Sequence, residues 1–222
     1  MKIRLIVKKT IQYIQALKTK IVYGRVAELD DGAILINVKF YNPKGGKVKI
    51  GKKTMLKNVK FIFGKGDNLI QIGDDCSFDG VEFVERYGGK NRIVVGNHTT
   101  SGSGQWEASE NTTLSIGEDC MFSYHIFVWT CAHHSIVNGN GERQNKSKSI
   151  SIGNHCWIGH SAMILKGAQL SHNCILGAKS LLTKPYSEPN SIYAGHPAKK
   201  IKENISWKRE LIDFRDENSQ EP

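Results

Sequence analysis

Residues 152–184 read IGNHCWIGHSAMILKGAQLSHNCILGAKSLLTK, and an aliphatic side chain returns in them every six positions: Ile152, Ile158, Ile164, Leu170, Leu176, Leu182. Four residues after each of the first five comes a small one: Cys156, Ala162, Ala168, Cys174 and Ser180. Glycine follows the aliphatic directly at Gly153, Gly159 and Gly177. A helix repeats every 3.6 residues and a strand every two, so neither yields a six-residue period over such a length. One short strand plus one corner does, and that repeat is the signature of a parallel β-helix. The aliphatic side chain then points into the coil, and the small one fills the space beside the next corner. The predicted fold class is an all-β solenoid.

Upstream, Ile116, Phe122 and Val128 keep the same phase. The pattern lapses over residues 130–150, TCAHHSIVNGNGERQNKSKSI, and resumes in phase at Ile152. The chain is therefore expected to leave the coil after a corner and return, with a loop at about 133–149. Such loops on a repetitive scaffold commonly carry function, and this one holds the adjacent pair His133 and His134. Further back, hexads start at Ile50, Leu56 and Ile62, with Thr54 in the small slot. Asn68 breaks the register, which returns at Ile72 and Phe78 and again at Val95. Residues 85–92 read as a loop, and residues 99–113, TTSGSGQWEASENTT, as a Gly/Ser-rich bulge carrying Trp106.

At the start, Ile3, Val7, Ile11, Ile14, Leu17 and Ile21 recur at spacings of three and four among Lys2, Arg4, Lys8, Lys9, Lys18 and Lys20. That is a basic amphipathic helix. It can cover the open end of the solenoid, attach to an anionic membrane surface, or do both. After Lys184, Pro185, Pro189 and Pro197 oppose a regular ladder. Residues 203–217, ENISWKRELIDFRDE, pattern as a short C-terminal helix. The expected organisation is a helix at 1–25, the solenoid at 26–186, and a closing segment at 187–222.

The 222 residues suit a single domain with appendages. Thirty-one Lys and Arg against 21 Asp and Glu give a net charge of +10, which favours anionic partners such as phosphates, acidic glycans or a lipid surface. No apolar run approaches the roughly 18 residues of a membrane span, and the start lacks a signal-peptide core. A cytoplasmic location is expected, with peripheral contact to the inner membrane through the helix. Cys76, Cys120, Cys156 and Cys174 each lie four residues after an aliphatic hexad start, so they are expected inside as small hydrophobes. Only Cys131 is off that slot. Neither a disulfide nor a metal site is expected.

The segments FSYHIFVWTCAHHSI, ISIGNHCWIGHSAMILKGAQL, ILGAKSLLTK and SIYAGHPAKKIKENISW carry a resemblance. Over residues 50–207 the chain resembles the hexapeptide-repeat acyltransferases with a left-handed parallel β-helix, and most of all the O-acetyltransferases of bacterial surface polysaccharides. The last segment is similar to that family's closing Ala-Gly-Asn-Pro-Ala-Lys, with His196 in place of the Asn. The resemblance implies a homotrimer that binds acetyl-CoA in grooves between neighbouring subunits and carries an acetyl group to a carbohydrate acceptor, with no nucleic-acid partner.

Transfer from a thioester to a sugar hydroxyl needs a base for the hydroxyl proton, and a histidine suits neutral pH. The family's histidine at the loop entrance matches His134, with His133 as the near neighbour. Relatives carry Thr-Ser-Asp-x-His-Ser there, and the Asp position is Ala132, which the hexad phase places inside. The group orienting the base must then be another, with Glu107, Glu118, Glu142 or a backbone carbonyl as candidates. For the cofactor the resemblance implies Trp157 and His160, the strip at Ala178, Thr183 and Lys184, and the phosphate-side cations Lys199 and Lys202. Ser103, Gln105 and Trp106, one coil before the base, are candidate acceptor contacts. An amino-sugar N-acetyltransferase and a non-enzymatic structural solenoid are alternatives. So is a zinc lyase of the carbonic-anhydrase-like β-helices, using the H-x4-H pair His155 and His160 with His98, His125 or His172.

Overall fold

A computed structural model describes residues 2–212 of the chain, with side chains from residue 10 onward. Short strands are dealt in turn to three sheets: Gly46–Ile50 to the first, Met55–Lys57 to the second, Lys60–Phe63 to the third, and so on. All pairings between successive coils are parallel, and the stack closes with an antiparallel pair, Ile192–Gly195 with Ala198–Lys202. The hexad aliphatics form three columns: Ile116 on Ile152 on Leu170, Phe122 on Ile158 on Leu176, and Val128 on Ile164 on Leu182. Each member is buried, as are the small residues Cys156, Ala162, Ala168, Cys174 and Ser180. The residue before each small one takes the left-handed conformation that turns the corner: His155, Ser161, Gly167, Asn173 and Lys179 all have positive φ. Asn, Asp, His and Gly tolerate that region best.

Coil length is not uniform. Partnered residues on the first face lie 21 to 23 positions apart up to Thr113–Ile116, then 36 apart across the loop, 18 apart in the next coil and 16 in the last. The surplus in the long coils falls at one corner, between the third face and the first. This corrects the expected bulge at 99–113. Thr100–Ser101 and Gly104–Glu107 are ordinary strands of the second and third faces. Trp106 is fully buried, with its ring centroid 4.5 Å from Phe122 and 5.6 Å from both Phe78 and Phe83. It fills the wider interior of a long coil and cannot touch an acceptor.

The N-terminal helix α1 (Lys2–Tyr23) lies over the first coil. The Leu35 amide donates to the Thr19 hydroxyl at 3.0 Å, and the Tyr23 ring sits 6.0 Å from Phe40. The expected C-terminal helix is absent over residues 203–212; residues 213–217 lie outside the described residues. That tail runs instead along the corner between the first and second faces. Asn173 donates to the Ile205 carbonyl, Trp207 stacks on His155 at 4.4 Å, and Arg209 donates to Asp119, the Thr100 hydroxyl and the His98 carbonyl. Alternate residues thus meet successive coils about 4.8 Å apart, a step that two helical residues, advancing about 3 Å, fall short of.

Candidate active site

The chain leaves the third face at Trp129 and rejoins the first at Ile150. The root of this loop is polar and buried. The Ser109 amide donates to the Thr130 hydroxyl at 3.0 Å, and the Thr112 and Thr130 hydroxyls lie 2.7 Å apart. Cys131 follows Thr130 inside at 4% exposure, and Ala132 is already exposed, contrary to its expected inward position. The corner turns one residue early, beside the threonine cluster at its root.

Beneath the loop sits Glu107, fully buried at the end of its strand. One oxygen accepts from the Ser109 hydroxyl at 2.6 Å; the other lies 3.3 Å from His133 Nε2. Of the proposed orienting groups, Glu107 is therefore the one at the histidine pair, and it faces His133. Glu118 accepts instead from Asn97, and Glu142 from Asn138. The His133 ring meets the edges of Tyr87 and Trp129 at 6.0 and 6.2 Å. Trp129 Nε1 donates to Gln105 at 3.0 Å, Gln105 donates to Glu82, and Lys60 donates to Glu82 at 2.7 Å, which holds that carboxyl below its usual range. Gln105 is half-buried in this chain of bonds along the third face. Sequence spacing gave no signal for the Glu107–His133 or Gln105–Trp129 pairings, which join residues in neighbouring coils.

His134 is exposed at the loop mouth, with its backbone fixed: the Asn145 side chain donates to its carbonyl at 2.8 Å. Asn145 also accepts from the Ile136 amide, and Lys166 donates to the Asn145 carbonyl at 2.7 Å. Arg143 pairs with Glu110 at 2.8 Å, lowering that carboxyl, and Ser147 donates to the same side chain. The loop is thereby tied to the coils on both sides of it.

Of the other predicted residues, Ser103, His160 and Ala178 line a different edge. Ser103, His125 and His160 fall on successive coils at the corner between the second and third faces. The His125 amide donates to Ser103 Oγ at 3.2 Å, and the His125 and His160 rings meet edge to face at 5.3 Å. Lys179, beside exposed Ala178, donates its amide to the His160 carbonyl. A side chain on Gly159 would meet the Ala178 nitrogen at 2.5 Å, so glycine is required for coils to stack this closely. Lys199 and Lys202 are exposed on the closing strand beside the second face. Thr183 and Lys184 are instead exposed at the corner between the third face and the first, on the loop side, with Lys184 over the Tyr186 ring. Trp157 stands 38% exposed on the second face, 6.1 Å from Trp207. Within one chain this edge and the histidine loop border opposite sides of the third face.

Among the described residues, Glu107, Cys131 and His133 are the group of three metal-ligating side chains that converge, with donor atoms all within 4.8 Å of one another. Burial pushes the Cys131 thiol up. The His155–His160 pair does not converge: His155 spends one nitrogen on Asp119 at 2.7 Å and the other on the Trp207 carbonyl, at a different corner from His160.

A family model described as the hexapeptide repeat of succinyl-transferase matches residues 149–184. A polysialic acid O-acetyltransferase of Neisseria meningitidis is 41% identical over 114 residues, 51% of this chain and 53% of that protein. Another, of Escherichia coli O1:K1, is 29% identical over 119 residues, 53% of this chain and 38% of that protein. The chain thus spans about half or less of the length of these two relatives. A crystal structure of a polysialic acid O-acetyltransferase superimposes with a TM-score of 0.66 at 28% identity, covering 85% of this chain and 96% of that one. These matches bear out the resemblance read from the sequence and the left-handed β-helix it implied.

Proposed function

We propose that this hexapeptide-repeat β-helix is an acetyl-CoA-dependent O-acetyltransferase acting on a sugar hydroxyl of an acidic surface polysaccharide, of the polysialic acid class, or its precursor. One observation carries this reading: a histidine pair at the mouth of a fixed loop, set over a buried carboxylate, in a chain 41% identical over half its length to a polysialic acid O-acetyltransferase. His134 takes the hydroxyl proton while that oxygen attacks the thioester carbonyl carbon. The tetrahedral adduct then collapses, the C–S bond breaks, and the thiolate of CoA leaves. Direct transfer is supported by the cysteines: Cys131, nearest the pair, is buried with its thiol pKa raised, so it is a poor nucleophile for an acyl-enzyme.

Acetyl-CoA would lie along the edge of His160 and Ala178, beside Trp157, with Lys199 and Lys202 toward its phosphates. Thr183 and Lys184, on the loop side of the third face, would contact the cofactor bound at the neighbouring subunit's edge. That edge and the loop flank opposite sides of the third face, so a homotrimer in which one subunit's edge meets its neighbour's loop would complete each site. Ser103 and Gln105 would face the acceptor. His133, with the Glu107 carboxyl 3.3 Å from its Nε2, supports a second assignment in which it is the base itself. No helix of the described residues is long and apolar enough to cross a membrane, and the enzyme is proposed to work in the cytoplasm, where acetyl-CoA is made.

The test is transfer of labelled acetyl from acetyl-CoA to polysialic acid oligomers by wild type, His134→Ala and His133→Ala. Loss of kcat by about 10²–10⁴-fold in His134→Ala, the usual weight of general-base catalysis, is expected. His133→Ala should cost less, with the pH profile displaced. A greater loss in His133→Ala would move the base to His133, and full activity in both would remove it from the pair. Alkali-labile label marks an ester; label that survives alkali would mean an amide and an amino-sugar acceptor.

A further inference from the structure

Helix α1 covers the first coil with the wrong face for a simple cap. Its packed side is Gln15, Ala16, Thr19 and Tyr23, small or polar, with Thr19 accepting from Leu35. Its outward side carries Ile11, Tyr13, Ile14, Leu17, Ile21 and Val22, which are 46–72% exposed. At 100° per residue these six span about half the circumference, with Lys18 among them and Lys20 at the margin. An interfacial helix has this composition: an apolar arc flanked by cations. Between the helix and the first two coils runs a groove of about 600 Å³ lined by Tyr13, Leu17, Ile34, Lys53 and Met55.

The charge of the whole chain points to the same end. Residues 1–66, the chain up to the end of the second coil, hold 16 Lys and Arg against three Asp and Glu. The remaining residues hold 15 against 18. The entire positive excess therefore sits at the helix-bearing end of the solenoid, where Lys44, Lys47, Lys52 and Lys53 are exposed. Cations alone would suit any polyanion, including an acidic glycan. An apolar arc surrounded by cations suits a surface with both hydrocarbon and negative charge.

We propose that this end of the molecule docks on an anionic lipid bilayer, with the outer face of α1 seated among the headgroups and the lysines of the first two coils against their phosphates. The docking would leave the histidine loop, on the fifth coil, facing the aqueous side. It stands apart from the transfer reaction and does not require that reading to be correct.

Sedimentation of the full chain with phosphatidylcholine vesicles, and with equimolar phosphatidylcholine and phosphatidylglycerol, tests it. Wild type should sediment with the mixed vesicles, far less with phosphatidylcholine alone, and less again at high salt. The doubly charged variant Leu17→Glu with Ile21→Glu should lose about ten-fold or more in partitioning. Both positions are exposed, so its thermal unfolding should match wild type. Lys52→Glu with Lys53→Glu should weaken binding while leaving the helix intact. The proposal falls if wild type stays in solution with mixed vesicles, or if the Leu17/Ile21 variant sediments equally well. It also falls if those two substitutions abolish binding of soluble polysialic acid, which would make the face a glycan site. Dissociation of a larger assembly by the same substitutions, with no vesicle binding by wild type, would make it a contact between copies of this chain.

Discussion

From Lys39 to Phe122 the interior of the solenoid holds stacked rings: Phe40 on Phe61 at 5.0 Å, Phe61 on Phe83 at 5.5 Å, and Trp106 edge-on to Phe83 and Phe78. From Ile150 to Leu182 every buried side chain is aliphatic or small: Ile, Leu, Ala, Cys and one Ser. Both stretches wind the same three faces, and the difference follows from coil length. An 18-residue coil is three hexads, and six inward side chains fill it. The 21–23-residue coils before the loop enclose more space and need rings. Their surplus also brings polar backbone inside at the third corner, and buried backbone must find partners. Asn68 donates to the Gly45 carbonyl and accepts from Asn91, which in turn donates to the Tyr87 carbonyl. Glu85, Glu107, Ser109, Thr112 and Thr130 continue this polar column. The loop with His133 and His134 leaves from that corner on the last long coil, so the histidines inherit a buried carboxylate that no short coil offers.

The largest effect that separates the two halves should come from Trp106→Ala. Removing a fully buried ring from a wide coil is expected to destabilise by about 3–5 kcal/mol, read by denaturant unfolding. A cost near that of an exposed residue would mean that the rings do not fill the long coils. The opposite substitution probes the narrow half. Ala168→Leu adds volume where an interior of six side chains already closes, and should destabilise by about 1–3 kcal/mol in the same measurement. A neutral Ala168→Leu would show that short coils have slack, and that coil length does not set the choice of core.

The same contrast explains what the sequence disclosed. In the short coils the hexad phase is the structure, so the aliphatic columns, the small slots and the inward cysteines could all be read directly. In the long coils the phase slips at the second corner as well as the third. Leu56 to Phe61, Phe78 to Phe83 and Ser101 to Trp106 are five residues, not six, so Phe61 faces inward where Ile62 was expected. Counting in sixes from Val95 passes over Trp106 and leaves it outside, whereas pairing with Phe83 puts it on the inner column. The slip also put Ala132 inside one residue too late. At the tail, Ile205, Trp207 and Arg209 make the contacts at alternate positions, and a helix-like scatter of apolar residues hid a period of two. The place of His134 on an ejected loop was legible from the lapse in the repeat. Glu107 could be named only as one of three candidate carboxylates, because it reaches His133 across a coil boundary whose length the repeat does not encode.

A smaller effect would test whether the third corner of the long coils is dry as well as polar. Glu85 ends its strand one coil before Glu107, fully buried, and neither of its carboxylate oxygens has a hydrogen-bond partner. Burial pushes its pKa up to about 9, with Arg92 partly opposing the shift. In the unfolded chain the group titrates at about 4.3. Between those values the folded protein keeps a proton that the unfolded chain has released. The stability that Glu85 contributes is therefore complete below the unfolded pKa and is lost as pH rises toward 9. The slope is at most about 1.4 kcal/mol per pH unit. Glu85→Gln keeps the shape and removes the titration. Its stability relative to wild type, from unfolding curves at a series of pH values, should level off below about pH 3 and improve steadily from about pH 5 to pH 8. A difference that stays level across that range would mean that Glu85 is ionised and solvated in the fold. Water would then reach the corner beneath the histidine loop, and the long coils would differ from the short ones by an open seam where a filled polar interior is now inferred.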